Sequence, residues 1–79
     1  MKATTIINKA NKIGADVEVN GRQLTVKVGD RVLEGWISGN QEMNVVNVRD
    51  IDDVSDAMID YSAGQFYETI KSAFYALTR

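Results

Sequence analysis

Five carboxylates, Asp50, Asp52, Asp53, Asp56 and Asp60, stand within eleven positions of a 79-residue chain. Carboxylates this dense can hold a hard cation through oxygen, work as a general acid and base, or offer a negative surface to a cationic partner. Asp56 and Asp60 would share one face if their segment were helical, which is the spacing a cation site needs. The register nevertheless departs from a calcium loop. Counted from Asp50, position 5 is Val54, position 6 is Ser55 where glycine is required, and position 12 is Tyr61 where a bidentate glutamate is required. A bland alternative stands beside these: aspartates cap turns and accept backbone N–H bonds, so Asp52, Asp53 and Asp60 would organise the connection between two elements.

The remaining chemistry is narrow. The chain has no His and no Cys, so the commonest general base, the thiol nucleophile and the usual transition-metal ligands are missing. Any enzyme built on it would have to work with carboxylates, Lys or Tyr. The expectation is a non-enzymatic protein with no catalytic residue, no metal and no cofactor.

Charge points the same way. Residues 1–49 carry seven basic and five acidic side chains, residues 50–79 two and six. An acidic C-terminal part opposes general nucleic-acid affinity, which requires Lys and Arg against phosphates, and favours a protein partner with a basic surface. The run after Lys2 is too polar for a signal peptide and no stretch is apolar enough to span a bilayer, so a soluble cytoplasmic protein without a membrane partner is expected. One domain over 1–79 is all this length allows. A small domain with neither disulfide nor zinc relies on good packing or on a partner, and a homodimer is one such solution.

The elements that must position the aspartates follow from periodicity. Ala3, Ile6, Ile7, Ala10 and Ile13 recur at helical spacing, with Gly14 placed as a C-cap. Val17 and Val19, then Leu24, Val26 and Val28, alternate at period two around Asn20-Gly21, a hairpin signal. Gly29-Asp30 and Gly39-Asn40 mark further turns, before a strand at Arg31–Ser38 and another at Met43–Arg49. Residues 50–62 read as a loop, with room for one helical turn at Val54–Ile59. Ser62-Ala63-Gly64-Gln65 fits a capping box, and Phe66, Ile70, Ala73, Phe74 and Leu77 form the stripe of a helix running to the C-terminus. The expected fold is α+β: a helix, an antiparallel meander of three or four strands and a second helix, both helices on one face of the sheet.

Two helices cover only one face, so the apolar residues of the third and fourth strands cannot all reach a core. Leu33 and Ile37 share one face and Val32 and Trp36 the other. Trp36 therefore either lies open beside Val32 and Val45, forming a sticky patch, or turns into the core and leaves Leu33 at an edge. Tyr67, Lys71 and Tyr75 fall at i, i+4 and i+8 on the flank of the second helix, a spacing that serves boundary packing or an interface.

The runs Val48-Arg49-Asp50, Asp52-Asp53, Ser55-Asp56-Ala57-Met58 and Asp60-Tyr61-Ser62-Ala63-Gly64-Gln65-Phe66-Tyr67 resemble the signature of a loosely defined group of short phage-encoded proteins without an assigned activity, also found as a module in large polyvalent phage proteins. The likeness covers the last third of the chain and the hairpins only in outline. It implies an accessory protein made in an infected bacterium and carries no catalytic residue across. The element order is also similar to that of double-stranded-RNA-binding domains, but the lysine cluster those domains place at the start of their second helix has no counterpart beside Ala63-Gly64-Gln65.

Three functions follow. In the first, Asp50, Asp52, Asp53, Asp56, Asp60 and Tyr61, with Tyr67 and Trp36, bind and block a host protein with a basic surface, such as a nucleic-acid-handling defence complex of the CRISPR type. In the second, the chain is a structural homo-oligomer joined through the open sheet face or a strand edge. The third is a metal-dependent carboxylate enzyme, and a double-stranded-RNA-binding-like module is a further alternative.

Overall fold

The computed structural model describes residues 1–51 and 64–79. Asp52, Asp53, Asp56, Asp60, Tyr61 and the helical turn expected at Val54–Ile59 lie outside the described residues.

The first helix, α1, spans Ala3–Lys12 and buries Ala3, Ile6 and Ala10, the stripe that its 3.6-residue period predicts. It ends in two crossed backbone bonds: Ala15 N–H donates to the Ala10 carbonyl at 3.0 Å and Gly14 N–H to that of Asn11 at 3.1 Å. That arrangement needs a left-handed residue at the second position past the helix, and Gly14 supplies it with φ 77°. Ile13 leaves the stripe because it is the C-cap, and 47% of its surface stays exposed.

Five strands follow: β1 Asp16–Asn20, β2 Gln23–Val28, β3 Arg31–Trp36, β4 Val46–Asp50 and β5 Gln65–Tyr67. Every neighbouring pair is antiparallel, and the spatial order is the chain order. The first hairpin closes on Gly21-Arg22, one residue later than the Asn20-Gly21 expectation, because Asn20 pairs with Gln23 and belongs to the ladder. The second closes on Gly29-Asp30 as expected, with Val28 opposite Arg31.

The last helix, α2, spans Ile70–Thr78. Leu24 and Val26 of β2, Leu33 of β3 and Val46 and Val48 of β4 meet Ala3, Ile6 and Ala10 of α1 and Ala73, Phe74, Ala76 and Leu77 of α2 in one core. Both helices thus pack on the same face of the sheet, and Lys9 of α1 sets its ammonium 5.5 Å from the centre of the Phe74 ring. The fold is α+β, as the periodicities predict.

Two expectations fail in instructive ways. The strand read as Met43–Arg49 begins its ladder with β3 later, since Met43 pairs with the N-terminal segment instead: its N–H donates to the Met1 carbonyl at 2.7 Å, and Ala3 N–H donates to Gln41 at 3.0 Å. The Met43 side chain then fills the space left by the missing side chain of Gly35 in β3. The capping box at Ser62–Gln65 starts no helix at Gln65. Ser62 and Ala63 lie outside the described residues, Gln65 opens β5, and α2 begins at Ile70 behind Thr69, whose hydroxyl accepts from Ser72 N–H at 3.2 Å. Gly64 would weaken a helix by about 1 kcal/mol relative to Ala, whereas Phe66 and Tyr67 suit a pleated surface. A Cβ on Gly64 would collide with the Val48 carbonyl and Arg49, so glycine is what lets the chain press against β4 here.

Among the described residues no helix is long and apolar enough to cross a membrane.

Candidate functional site

Side chains alternate across β5, and the consequence is two separate surfaces. Phe66, opposite Asn47, points away from the helices; Tyr67, opposite Val46, and Gln65, opposite Val48, point towards them.

On the face opposite α1 and α2, Phe66 joins Trp36 and Val45. These three line a shallow hollow of about 250 Å³ together with Glu34, Gly35 and Asn44. Trp36 is 60% exposed and Phe66 53%, so the patch has two aromatic rings open to solvent. Of the two placements open for Trp36, the structure has the open one, with Leu33 in the core. The patch differs in membership from the expected one. Val32 shares the face but is buried, as is Asn47, and Phe66, expected in the helix stripe, takes its place at the surface. Beside the patch Arg49 Nε donates to Glu34 Oε1 at 2.9 Å, an ion pair whose side chains are largely withdrawn from solvent.

On the helix side a cleft of about 530 Å³ opens between β5 and α2, lined by Gln65, Tyr67, Thr69, Lys71, Ser72, Tyr75, Ala76 and Arg79. The expected alignment of Tyr67, Lys71 and Tyr75 along one helix does not occur, because Tyr67 is on β5; the fold still gathers all three into this cleft. Tyr67 donates its hydroxyl to Gln65 Oε1 at 3.0 Å, and the Arg79 guanidinium sits 5.6 Å from the centre of the Tyr75 ring. The cleft continues into a smaller polar hollow bordered by Arg31, Arg49 and Asp50.

Asp50 is already engaged there. It lies opposite Arg31 in the ladder, with Arg31 Nε 3.4 Å from its Oδ1. Arg31 Nη1 also donates to the Ala76 carbonyl at 2.9 Å, so one side chain ties β3 to β4 and stops the open C-terminal end of α2. Among the described residues, no group of three or more Asp, Glu, His or Cys gathers where a metal ion could be held. Of the sequence-predicted site residues, then, Trp36 is exposed on one face, Tyr67 half-buried on the other, and Asp50 held in an ion pair; the structure does not bring these three together. Phe66, Lys71 and Arg79 are the additions. Phe66 and Tyr67 would have been legible from β propensity had the helix been started at Thr69.

No family model, no curated protein and no solved structure matches this chain.

Proposed function

We propose that this protein is a binding module that docks on another protein through the Trp36–Val45–Phe66 patch. The observation that carries this reading is the exposure of two large aromatic side chains, on β3 and β5, around one hollow. Buried aromatic anchors dominate protein–protein interfaces, and an exposed apolar cluster of this kind marks a contact site more often than a plain surface. The occupant is a protein with a basic surface, because residues 50–79 carry six acidic and two basic side chains. The resemblance to phage accessory proteins gives this its concrete form: an inhibitor that blocks a nucleic-acid-handling defence complex, with Asp52, Asp53 and Asp56 standing in for phosphates.

The test is capture of partners from a bacterial lysate at low and high salt by the wild type, by Trp36→Ser, and by the triple variant Asp52→Asn, Asp53→Asn, Asp56→Asn. A stoichiometric basic protein retained by the wild type, lost at high salt and lost by both variants is the expected result. Capture by the variants at wild-type level sinks the reading.

The same patch supports a second reading, a homodimer in which two copies cover each other's Trp36 and Phe66. Sedimentation of the wild type decides it: a dimer converted to a monomer by Trp36→Ser favours this assembly, and a wild-type monomer excludes it.

A further inference from the structure

The cleft on the helix side of β5 has a different chemistry from the patch and is independent of it. Its lining is mainly apolar surface edged by polar groups, and about 530 Å³ lies within the range of small-molecule sites. Its two aromatic residues, Tyr67 and Tyr75, come from different elements, β5 and α2. Among the described residues of the lining the charged ones are cations, Lys71 and Arg79, on a chain in which eleven acidic side chains outnumber nine basic ones. Lys71 makes no ion pair among the described residues, and Asp50 in the adjoining hollow is matched by Arg31. Ser72, Gln65 and Thr69 add hydrogen-bonding groups at the rim.

We propose that this cleft binds a small anion that carries a planar ring, of the size of a nucleoside monophosphate. The ring lies against Tyr67 and Tyr75, and the anionic group is taken by Lys71 and Arg79. Neither half suffices: an anion without the ring gains only two flexible surface cations, and a neutral ring gains only aromatic contact in an open cleft. Lys71 stands in the first turn of α2, which begins at Ile70.

AMP is the probe, titrated into the full chain and followed by amide chemical shifts. The expected result is saturable shifts concentrated at Gln65, Tyr67, Lys71, Tyr75 and Arg79. Adenosine and ribose 5-phosphate should each bind about tenfold more weakly than AMP or worse, the loss of one charged hydrogen bond or one stacked ring. Lys71→Gln and Tyr75→Ala, both at exposed positions, should each weaken AMP by about tenfold while leaving the melting temperature unchanged. Non-saturable shifts, shifts centred on Trp36 and Phe66, equal binding of ribose 5-phosphate and AMP, or wild-type affinity in both variants would each overturn the proposal.

Discussion

Phe66 and Tyr67 are consecutive residues of one three-residue strand, yet they serve surfaces of opposite character. Phe66 completes an apolar corner with Trp36 and Val45 on the face opposite α1 and α2; Tyr67 walls a cleft on the helix side whose charges, among the described residues, are Lys71 and Arg79. The corner offers exposed rings, which suits a large partner that can exclude water from it. The cleft offers rings with cations, which suits a small anion. Strand alternation alone can thus give an 8.8 kDa domain two surfaces of different chemistry, provided the short strand that carries both is held in place.

The strongest way to break that comparison is to unseat β5. Gly64 has φ 86° and no space for a Cβ against the Val48 carbonyl and Arg49. Gly64→Ala therefore imposes both an unfavourable backbone conformation and a collision with main chain, together costing about 2–3 kcal/mol. For a domain of this size that is a fall in melting temperature of roughly 10 °C or more. Both surfaces should be lost together, so AMP shifts and partner capture disappear in the same variant. Loss of one surface with the other intact would show that β5 does not couple them.

A smaller effect separates the two sides. Arg31 ties the Ala76 carbonyl of α2 to Asp50 of β4 and has no part in the Trp36 corner. Arg31→Met should cost about 1–2 kcal/mol, most of it from the hydrogen bond that closes α2. Asp50→Asn removes only a partly exposed ion pair and should cost about 0.5 kcal/mol or less. Urea midpoints check the ranking, and equal costs would mean that the ion pair, and not the helix cap, holds this junction. Gly35→Ala ranks with Arg31→Met: a Cβ there meets the flexible end of Met43 and the Val46 side chain, and repacking limits the loss to about 1–2 kcal/mol.

The part of the fold that local rules control was legible from residues alone. Alternation at Val17–Val19 and Leu24–Val28 gave the first hairpin within one residue, and Gly14 marked the end of α1, because hydrogen bonds between near neighbours settle both. What failed were choices made at a distance. Met43 has a strand-like neighbourhood, but the vacancy at Gly35, eight positions earlier, and pairing with Met1 draw it out of the ladder. Phe66 fits a helical stripe with Ile70, Ala73, Phe74 and Leu77, and nothing local reveals that β4 has a free edge for it. The candidate surfaces inherit this error. The sequence leaves Trp36 two placements, of which the open one is found, whereas helical spacing puts Phe66 in the core stripe and nothing in it marks Arg79.

The least disruptive substitutions test the comparison most sharply. Trp36 and Tyr75 are 60% and 67% exposed and lie on opposite sides of the sheet, so Trp36→Ser and Tyr75→Ala should each change stability by no more than about 0.5 kcal/mol. They share no partner among the described contacts, and effects of sites without shared partners add to within about 0.5 kcal/mol. The double variant should accordingly melt where the sum of the singles predicts. Function should divide as stability does not: Trp36→Ser abolishes partner capture and leaves AMP shifts unaltered, while Tyr75→Ala does the reverse. A deviation from additivity beyond 1 kcal/mol would mean that the two surfaces communicate through β5. In that case ligand in the cleft would tune docking at the corner, and AMP should change the amount of partner captured by the wild type.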